Sequence, residues 1–592
     1  MNMKTYKYLS CLLLGSILFV SCSDFLDRPP VDRFTDEEFW QTEAQARTFL
    51  YAVYPTLFGG FGTVQNPSWM EDVGDDGISG PIQNPYSPER VPETDDSWSF
   101  SNVRKANHVI ASAPRLNEPE ATINHWLGIG HFLRGYFYSS LTFQYGDVPW
   151  FDRVPQYSED KEELDYLYRD RDPRNFVVEK NIEDFEFALA NVRPNDGDLQ
   201  INRYVVAALV SRLMLREGTF QKYFYKDNEM AKKCLQQAKT AAELVMSGPY
   251  ALASNYKSLF ISDDLAGNPE IIMYRKYLDG ILTHFMVNQN YDIEQSGASK
   301  GLAESFLLSN GFPIRYDNED WHAPTATDFF ADRDPRLSYN FRQAYYPFGG
   351  SNAPFNYSRS GYSLQKYMDE SRAGENITRG QNVTDAPCLR LGEVLLNYAE
   401  ICYELEAITG NDLFNQEVLD LTINKLRDRV GMPHLQEIGG NPAVDGQTYD
   451  DPERTKWDPD PVPSMLWEIR RERRVELCYE NGLRANDIRR WKKLDYLCNE
   501  HNPDYRYGAY IVLSDFPPAV ESSVSLATTI SPTEQANKDL TEGYILRNTD
   551  TARGLPKDKN YIKPVPNGQI VLYRAHGYTL SQTEGWEEED EE

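Results

Sequence analysis

The sequence has little cysteine, a shortage of positive charge and, after residue 22, no long apolar run. Its seven Cys include no C-x-x-C pair, which argues against a disulfide framework or a zinc ribbon. Lys and Arg number 60 against 90 Asp and Glu, and the resulting net charge of −30 argues against nucleic acid as a partner. No later segment approaches the roughly 20 apolar residues of a transmembrane helix, so we expect the mature chain to be a water-soluble body.

Aromatic side chains are abundant, with 10 Trp, 38 Tyr and 28 Phe. Many of them stand in polar stretches that contain Pro and Gly, and not in apolar runs. Aromatic rings outside a hydrophobic core are suited to ligand recognition, because they offer a large rigid face beside polar groups.

The N-terminus has the features of a bacterial export signal. Lys4 and Lys7 precede an apolar stretch at 9–20, and Ser21 is a small residue directly before Cys22. The tetrapeptide FVSC at 19–22 resembles a lipobox, which implies that Cys22 is acylated and becomes the mature N-terminus. An ordinary cleaved secretory peptide is the alternative. We therefore predict a lipoprotein signal peptide at 1–21 and a surface tether at 22–34. The acyl chains alone would attach the protein to the membrane.

Helical periodicity dominates two parts of the chain. Apolar residues recur at helical spacing in these segments: 46–57, 103–113, 123–145, 177–192, 204–217, 229–247, 389–406, 416–430, 464–479 and 484–494. Between the two helical parts, at about 249–386, Tyr, Asn, Gly and Pro dominate, which is typical of loops with short strands. The pattern predicts a mainly α fold, a tetratricopeptide-like helical-repeat scaffold with a loop-rich region containing short strands. We place an N-terminal helical part with ligand-binding loops at 35–250, the loop-rich segment at 251–386, and a C-terminal helical part with an irregular tail at 387–592.

Several motifs occur along the chain in this order: HFLRGYFY at 131–138, QYGDVP at 144–149, RDPR at 333–336, GY at 361–362 with KY at 366–367, LRLGEVLLNYAE at 389–400, IRRERRVEL at 469–477, KPVP at 563–566 and GW at 585–586. Together they resemble the motifs of the SusD/RagB family of outer-membrane lipoproteins. The resemblance implies a surface glycan-binding lipoprotein of the outer membrane, which captures oligosaccharides and passes them to a SusC-like TonB-dependent transporter. It implies neither a cofactor nor an enzymatic activity. Peptide cargo is an alternative, since RagB-type relatives serve peptide importers.

Most of these motifs are expected to serve the scaffold. In the segment 469–477, Arg and Glu alternate at spacings that allow pairing within one helix, worth about 0.2 to 0.5 kcal/mol per pair. In the RDPR segment, Asp334 is expected to fix a turn through its own backbone, and Arg333 and Arg336 to clamp neighbouring elements. Cys234, Cys402 and Cys478 lie on apolar faces of predicted helices and are expected to be buried.

A surface glycoside hydrolase is the less favoured alternative, because the chain shows no catalytic motif in its proper context. GASKG at 297–301 fits the nucleophile pattern G-x-S-x-G, but no apolar strand precedes it. Ser363 and Lys366 form an isolated S-x-x-K. The acidic cluster at 72–77 has Gly74 where a calcium loop needs a ligand, so no metal is predicted.

The candidate ligand-binding residues are aromatic rings in polar loops. A sugar ring stacks its C–H face on Trp or Tyr, while carboxylates and amides orient its hydroxyl groups. The residues that meet this criterion are Trp98, Trp321, Trp69, Tyr86, Asp75 and Asn102. We expect the rings to be exposed. We also expect the irregular stretch at 59–97, here called the early loop, and the loop-rich segment to form one surface, as the resemblance implies.

Overall fold

The computed structural model describes residues 39–65, 74–78, 86, 88–156, 158–287, 297–318, 321, 328–343, 360–369, 380–516, 524–546 and 554–587. Structural statements below concern these residues. Two of the predicted functional residues, Cys22 and Trp69, lie outside them.

Helices form most of the regular structure. They are α1 (Glu43–Tyr51), α2 (Tyr54–Leu57), α3 (Ser101–Ser112), α4 (Glu120–Tyr145), α5 (Lys161–Leu167), α6 (Arg174–Asn191), α7 (Arg203–Phe220), α8 (Asn228–Met246), α9 (Ser258–Ile261), α10 (Lys300–Ser305), α11 (Pro335–Asn340), α12 (Leu391–Thr409), α13 (Gln416–Leu421), α14 (Ile423–Val430), α15 (Glu453–Lys456), α16 (Ser464–Glu476), α17 (Leu483–Arg490) and α18 (Asn567–Ala575). The predicted fold class, mainly α with helix pairs and short strands, is confirmed.

The strands are short, and each pairs antiparallel with its neighbour. They are β1 (Gly77–Ile78), β2 (Ile271–Arg275), β3 (Gly297–Ala298), β4 (Phe341–Gln343), β5 (Tyr362–Leu364), β6 (Ala386–Arg390), β7 (Gln436–Ile438), β8 (Asn441–Val444), β9 (Gln447–Thr448), β10 (Tyr507–Val512), β11 (Leu526–Ala527) and β12 (Glu542–Leu546). The pairing of β2 with β6 joins the start of the loop-rich segment to the residue before α12. Most of these strands therefore tie distant loops together.

Glycine permits close packing inside two of the helix pairs. A Cβ atom at Gly135 of α4 would lie 2.7 Å from the Phe185 ring of α6, and one at Gly218 of α7 would lie 2.7 Å from the Leu235 side chain of α8. Glycine in a helix interior costs about 0.5 to 1 kcal/mol relative to alanine. That cost is offset because each position lets two helices approach more closely than any side chain would allow.

Two hydrophobic cores support the fold. The larger core lies among α3, α4, α6, α7, α8 and α12, and it includes the apolar stripe of α8. The second core lies beneath the loop-rich segment and includes residues from β2, α10, β5 and β10. Cys234, Cys402 and Cys478 are free and buried, as predicted.

The structure corrects two details of the helix prediction. The segment 416–430 is two helices, since Thr422 adopts φ −127° and ψ −92° and breaks the helix between α13 and α14. The tail contains α18, where we expected irregular chain. Tyr573 is the one buried residue of this helix, so its sequence lacks a clear apolar stripe.

The charges of α16 pair mainly with other elements, so the expectation of pairing within the helix is largely wrong. Arg471 does bind Glu468 at 2.6 Å in the same helix. However, Glu472 binds Arg427 of α14 at 2.7 Å, and Glu476 binds Arg390 of β6 at 2.7 Å. All of these side chains are buried. Glu472 also binds Arg336 of α11 at 3.0 Å, so buried ion pairs of this helix join the C-terminal helices to the loop-rich segment.

Candidate functional site

The early loop is fastened to the loop-rich segment by backbone pairing. β1 pairs with β3 in the register Gly77 with Ala298. The Ser299 amide donates to the Asp76 carbonyl at 2.7 Å, and the Ser299 hydroxyl donates to the Asp75 carbonyl at 2.6 Å. We call this meeting place, residues 75–78 with 297–299, the loop junction.

Two buried carboxylates hold the early loop against α16 and α17. Asp75 accepts two hydrogen bonds from Arg484, at 2.7 and 2.9 Å, and one from Arg474 at 3.1 Å. Asp76 accepts from Arg474 at 2.6 Å. Burial raises the pKa of Asp75, but Arg474 and Arg484 outweigh it and lower that pKa to about 2. The carboxylate of Asp75 is therefore ionised and anchors the loop at neutral pH.

Trp321 is half-buried and is connected to this junction through Arg315. Its carbonyl accepts from Arg315 at 3.2 Å, and Arg315 also binds Glu304 of α10, which begins directly after Ser299. The Trp321 ring centre lies 6.2 Å from that of Phe329, in a tilted arrangement. Arg315 thus connects the backbone of Trp321 to the helix that Ser299 of the loop junction caps.

Sequence reasoning missed the rings that support Trp321. Phe329 and Phe330 pack around Tyr362, with ring centres 4.9 and 6.4 Å from it. Tyr362 is buried and is the first residue of β5. Its place beside Phe329 results from chain folding over about 30 residues, and no local pattern carries that information.

Trp98 is not an exposed platform ring, contrary to the prediction. Only 9% of the residue is exposed, and it belongs to the larger core. Its ring packs edge-on against Tyr145 of α4 at 4.8 Å and against Phe100 at 5.7 Å. The polar neighbours of Trp98 suggested a loop ring, but α4 supplies an apolar wall that sequence alone does not place there.

The other predicted residues also have structural contacts. Asp75 was expected to orient a ligand, but it is buried and its carboxylate is engaged by two arginines. Tyr86 is half-buried and donates to the Leu494 carbonyl at 3.4 Å. Asn102 lies in α3 and accepts from Lys105 at 3.1 Å. Trp321 is therefore the described candidate that combines a partly exposed ring with a place at the loop junction.

A small cleft opens beside the junction. Its walls include the early loop, α10 and the segments around α15 and α16, and its volume is about 70 Å³. Trp467 donates to Asp451 at 2.9 Å, and Tyr496 donates to Asp458 at 3.0 Å. Small-molecule sites usually measure about 300–1,000 Å³, so this cleft can admit a substituent of a ligand but not an oligosaccharide.

Three carboxylates in this cleft, from Glu304, Glu453 and Asp504, have oxygens within 4.8 Å of one another. Lys300 binds Glu304 at 2.5 Å and Asp504 at 3.0 Å, and Arg315 binds Glu304 and reaches Glu453 at 3.4 Å. Burial raises the pKa of Glu304, but the two cations outweigh it and lower that pKa to about 2. Because two side-chain cations already compensate the cluster, a metal ion has little to gain there.

The GASKG and RDPR segments both serve the scaffold, a role that was predicted for RDPR alone. The Ser299 hydroxyl of the GASKG segment accepts from the Leu302 amide at 3.2 Å and so caps α10. Asp334 of the RDPR segment accepts from the Arg336 amide at 2.9 Å, and Arg333 donates to four backbone carbonyls. Neither motif presents a nucleophile or a free cation to solvent.

Comparison with known proteins settles the family. The SusD family model matches residues 269–586, which is more than half of the chain. The chain belongs to the SusD family. SusD-like protein P2 of Formosa agariphila is 23% identical over 454 residues, which cover 72% of this chain and 82% of that protein.

Solved structures of the family share the fold. A SusD-like protein from Bacteroides fragilis matches with a TM-score of 0.63 and 20% identity, covering 94% of this chain and all of that one. A SusD-like carbohydrate-binding protein from the same species matches with a TM-score of 0.61 and 19% identity, covering 90% and 98%. Within the described residues of this SusD-family chain, no helix is both long enough and apolar enough to cross a membrane.

Proposed function

We propose that this protein is a cell-surface lipoprotein that binds glycans through Trp321 at the loop junction. It delivers captured oligosaccharides to a SusC-like TonB-dependent transporter in the outer membrane, and Cys22 carries its lipid anchor. Peptide cargo on the same fold is the alternative. The glycan is favoured because Trp321 is partly exposed, and its indole ring has the large flat face on which the C–H face of a sugar ring stacks.

One observation carries this proposal. The early loop and the loop-rich segment, which sequence reasoning assigned to a single ligand surface, are joined at β1 and β3, and the helix that follows β3 is connected to Trp321 through Arg315. Asp75 and Asp76 contribute by holding the early loop in place, so that the surface is preformed. A preformed surface loses less conformational entropy on binding than a loose one.

A hydrolytic function has less support. The carboxylates nearest to the junction lie in a cleft of about 70 Å³ and are bound by Lys300 and Arg315. A retaining glycosidase needs two carboxylates about 5–5.5 Å apart with the sugar ring between them. The cleft leaves no space for that ring. The carbohydrate-binding relative from Bacteroides fragilis also agrees with binding as the function.

Replacement of Trp321 tests the proposal. Affinity gel electrophoresis should measure how strongly each of a panel of neutral and acidic polysaccharides retards the protein. Binding of peptides should be measured separately by calorimetry. Trp321→Ala should weaken binding of the retained glycan by about 2 kcal/mol or more, the range of a binding hot spot, while Trp321→Phe should keep part of it. Tyr51→Ala is the control, because Tyr51 is 47% exposed on α1, away from the junction.

The outcomes separate the alternatives. Binding of peptides and of no glycan would favour the peptide importer, and release of reducing ends would favour the hydrolase. If glycan binding were unchanged in Trp321→Ala, the site would have to lie elsewhere on the chain.

A further inference from the structure

An open polar groove lies beside α11, apart from the loop junction. Its volume is about 550 Å³, within the range of about 300–1,000 Å³ that is usual for small-molecule sites. Side chains from four separate segments reach it, among them Asn255, Lys257, Tyr339, Gln365, Asp369 and Arg429. It shares no lining residue with the cleft at the junction.

Tyr339 gives this groove a supported aromatic face. The residue is 37% exposed, an unusual value for a large ring in this structure. Its ring is stacked on that of Tyr256, with centres 6.1 Å apart and planes 29° from parallel. Tyr256 is buried, and its hydroxyl lies 3.1 Å from the Glu476 carbonyl, to which it donates. The supporting ring is therefore fixed, and the outer ring rests on a rigid base.

The charges around the groove are nearly balanced. Arg429 is bound by Glu270 at 3.1 Å and by Glu476 at 2.6 Å, so its charge is compensated inside the protein. Lys257 and Asp369 contribute one charge of each sign. Strongly anionic or cationic ligands would gain little here, whereas a neutral ligand meets no unfavourable field.

The polar groups of the groove match hydroxyl groups. The Gln365 amide nitrogen donates to the Ser338 carbonyl, but the buried amide oxygen of Gln365 has no hydrogen-bond partner. Buried polar atoms are nearly always paired, so this oxygen requires a donor. A sugar hydroxyl can donate to it with a small side-chain adjustment, while the C–H face of the sugar covers the Tyr339 ring.

We propose that the Tyr339 groove is a second carbohydrate-contact surface, which binds a neutral segment of the same polysaccharide that the loop junction captures. The inference rests on the proposed glycan-binding function and adds a second point of contact. Two linked contacts on one polymer raise overall affinity beyond either contact alone. The groove should therefore matter more for long chains than for short oligosaccharides.

The test compares retention of a neutral polysaccharide with that of a short oligosaccharide from the same polymer. The polysaccharide is chosen from the panel above by binding to the unaltered chain. Tyr339→Ala should weaken retention of the polysaccharide by about tenfold, because the second contact is lost. Tyr339→Phe keeps the ring and should bind close to the level of the unaltered chain. Tyr51→Ala, another exposed tyrosine, is the matched control.

The result also distinguishes this inference from the proposed function. If Trp321→Ala no longer binds the polysaccharide while Tyr339→Ala binds it fully, the proposal of a second surface is wrong and the proposal of glycan binding at the loop junction is retained. If the unaltered chain binds no polysaccharide of the panel, both proposals fail; if it binds acidic polysaccharides alone, the second surface is wrong and the glycan-binding proposal for the junction is retained. An equal melting temperature in Tyr339→Ala and Tyr339→Phe shows that any loss of binding is not a loss of folding.

Discussion

Trp98 and Trp321 have similar sequence surroundings and different environments in the fold. Each lies in a polar stretch with acidic neighbours. Trp98 packs on Tyr145 in the larger core, whereas Trp321 rests on Phe329 at the edge of the second core. The ring that is covered contributes to stability, and the ring that is partly open remains available to a ligand.

Trp98→Ala should therefore lower the melting temperature and the free energy of unfolding, and it should not abolish ligand binding selectively. Removing a buried tryptophan leaves a cavity and costs about 3–5 kcal/mol. Thermal or urea unfolding measures the loss, and Trp321→Ala, whose ring is less buried, serves as the comparison. A Trp98→Ala chain with an unchanged melting temperature would contradict the burial of this ring.

At the scale of elements, α16 decides how the two parts of the molecule meet. Its glutamates bind arginines from α14, β6 and α11, and its Arg474 binds the early loop. Removing one partner of a buried pair costs about 3–5 kcal/mol, against about 0.2 to 0.5 kcal/mol for an exposed pair within one helix. The family motif at 469–477 therefore supplies buried charges that hold these elements together.

Asp75→Asn should loosen the early loop and change how stability depends on pH. The pKa of Asp75 is lowered to about 2 in the folded chain from an ordinary value of 3.8. Its charge therefore stabilises the fold above about pH 4, and this contribution is lost as the pH falls toward 2. The free energy of unfolding should differ by about 3–5 kcal/mol between the two chains at pH 7, and the difference should shrink on acidification.

Urea unfolding between pH 3 and pH 7 measures this difference, and hydrogen exchange at 74–78 locates it. Asp264→Asn is the control, because that carboxylate forms an exposed pair with Lys276. A difference that stayed constant down to pH 3 would show that the Asp75 charge is not the stabilising feature.

At the scale of the whole molecule, two large cores joined by buried ion pairs carry the loops to which the proposed ligand site belongs. The net charge of −30 argues against nucleic acid as a partner, and the proposed anchor at Cys22 lies before the described residues. Anchoring by lipid leaves the folded part outside the bilayer, where it can meet polymers before a transporter does.

Cys22→Ala should lose acyl label and leave the outer-membrane fraction, since no other cysteine follows a small residue at the end of the apolar stretch. Metabolic labelling with a fatty acid and membrane fractionation measure both effects. Ser23→Ala, the neighbouring substitution, should behave as the unaltered chain does. Acyl label that persisted on the Cys22→Ala chain at the outer membrane would refute the assignment.

Local patterns were sufficient for most of the helices and for the family. Apolar residues at helical spacing determine where α4, α7, α8 and α12 form, because α8 must bury one face and the other three must bury most of their residues. The buried cysteines and the turn at Asp334 follow from equally local rules. Residues 416–430 show the limit, since one periodic stripe did not reveal the break at Thr422.

Tertiary structure alone decided which rings are open and which charges meet. Asp75 and Arg484 are 409 positions apart, and Tyr339 meets Tyr256 across 83 positions, so no local pattern records either pair. Whether a loop ring is a ligand surface or part of the core depends on what folds over it. The sequence alone therefore determined the kind of protein and its helices, while folding determined that Trp98 is buried and that Trp321 and Tyr339 remain accessible.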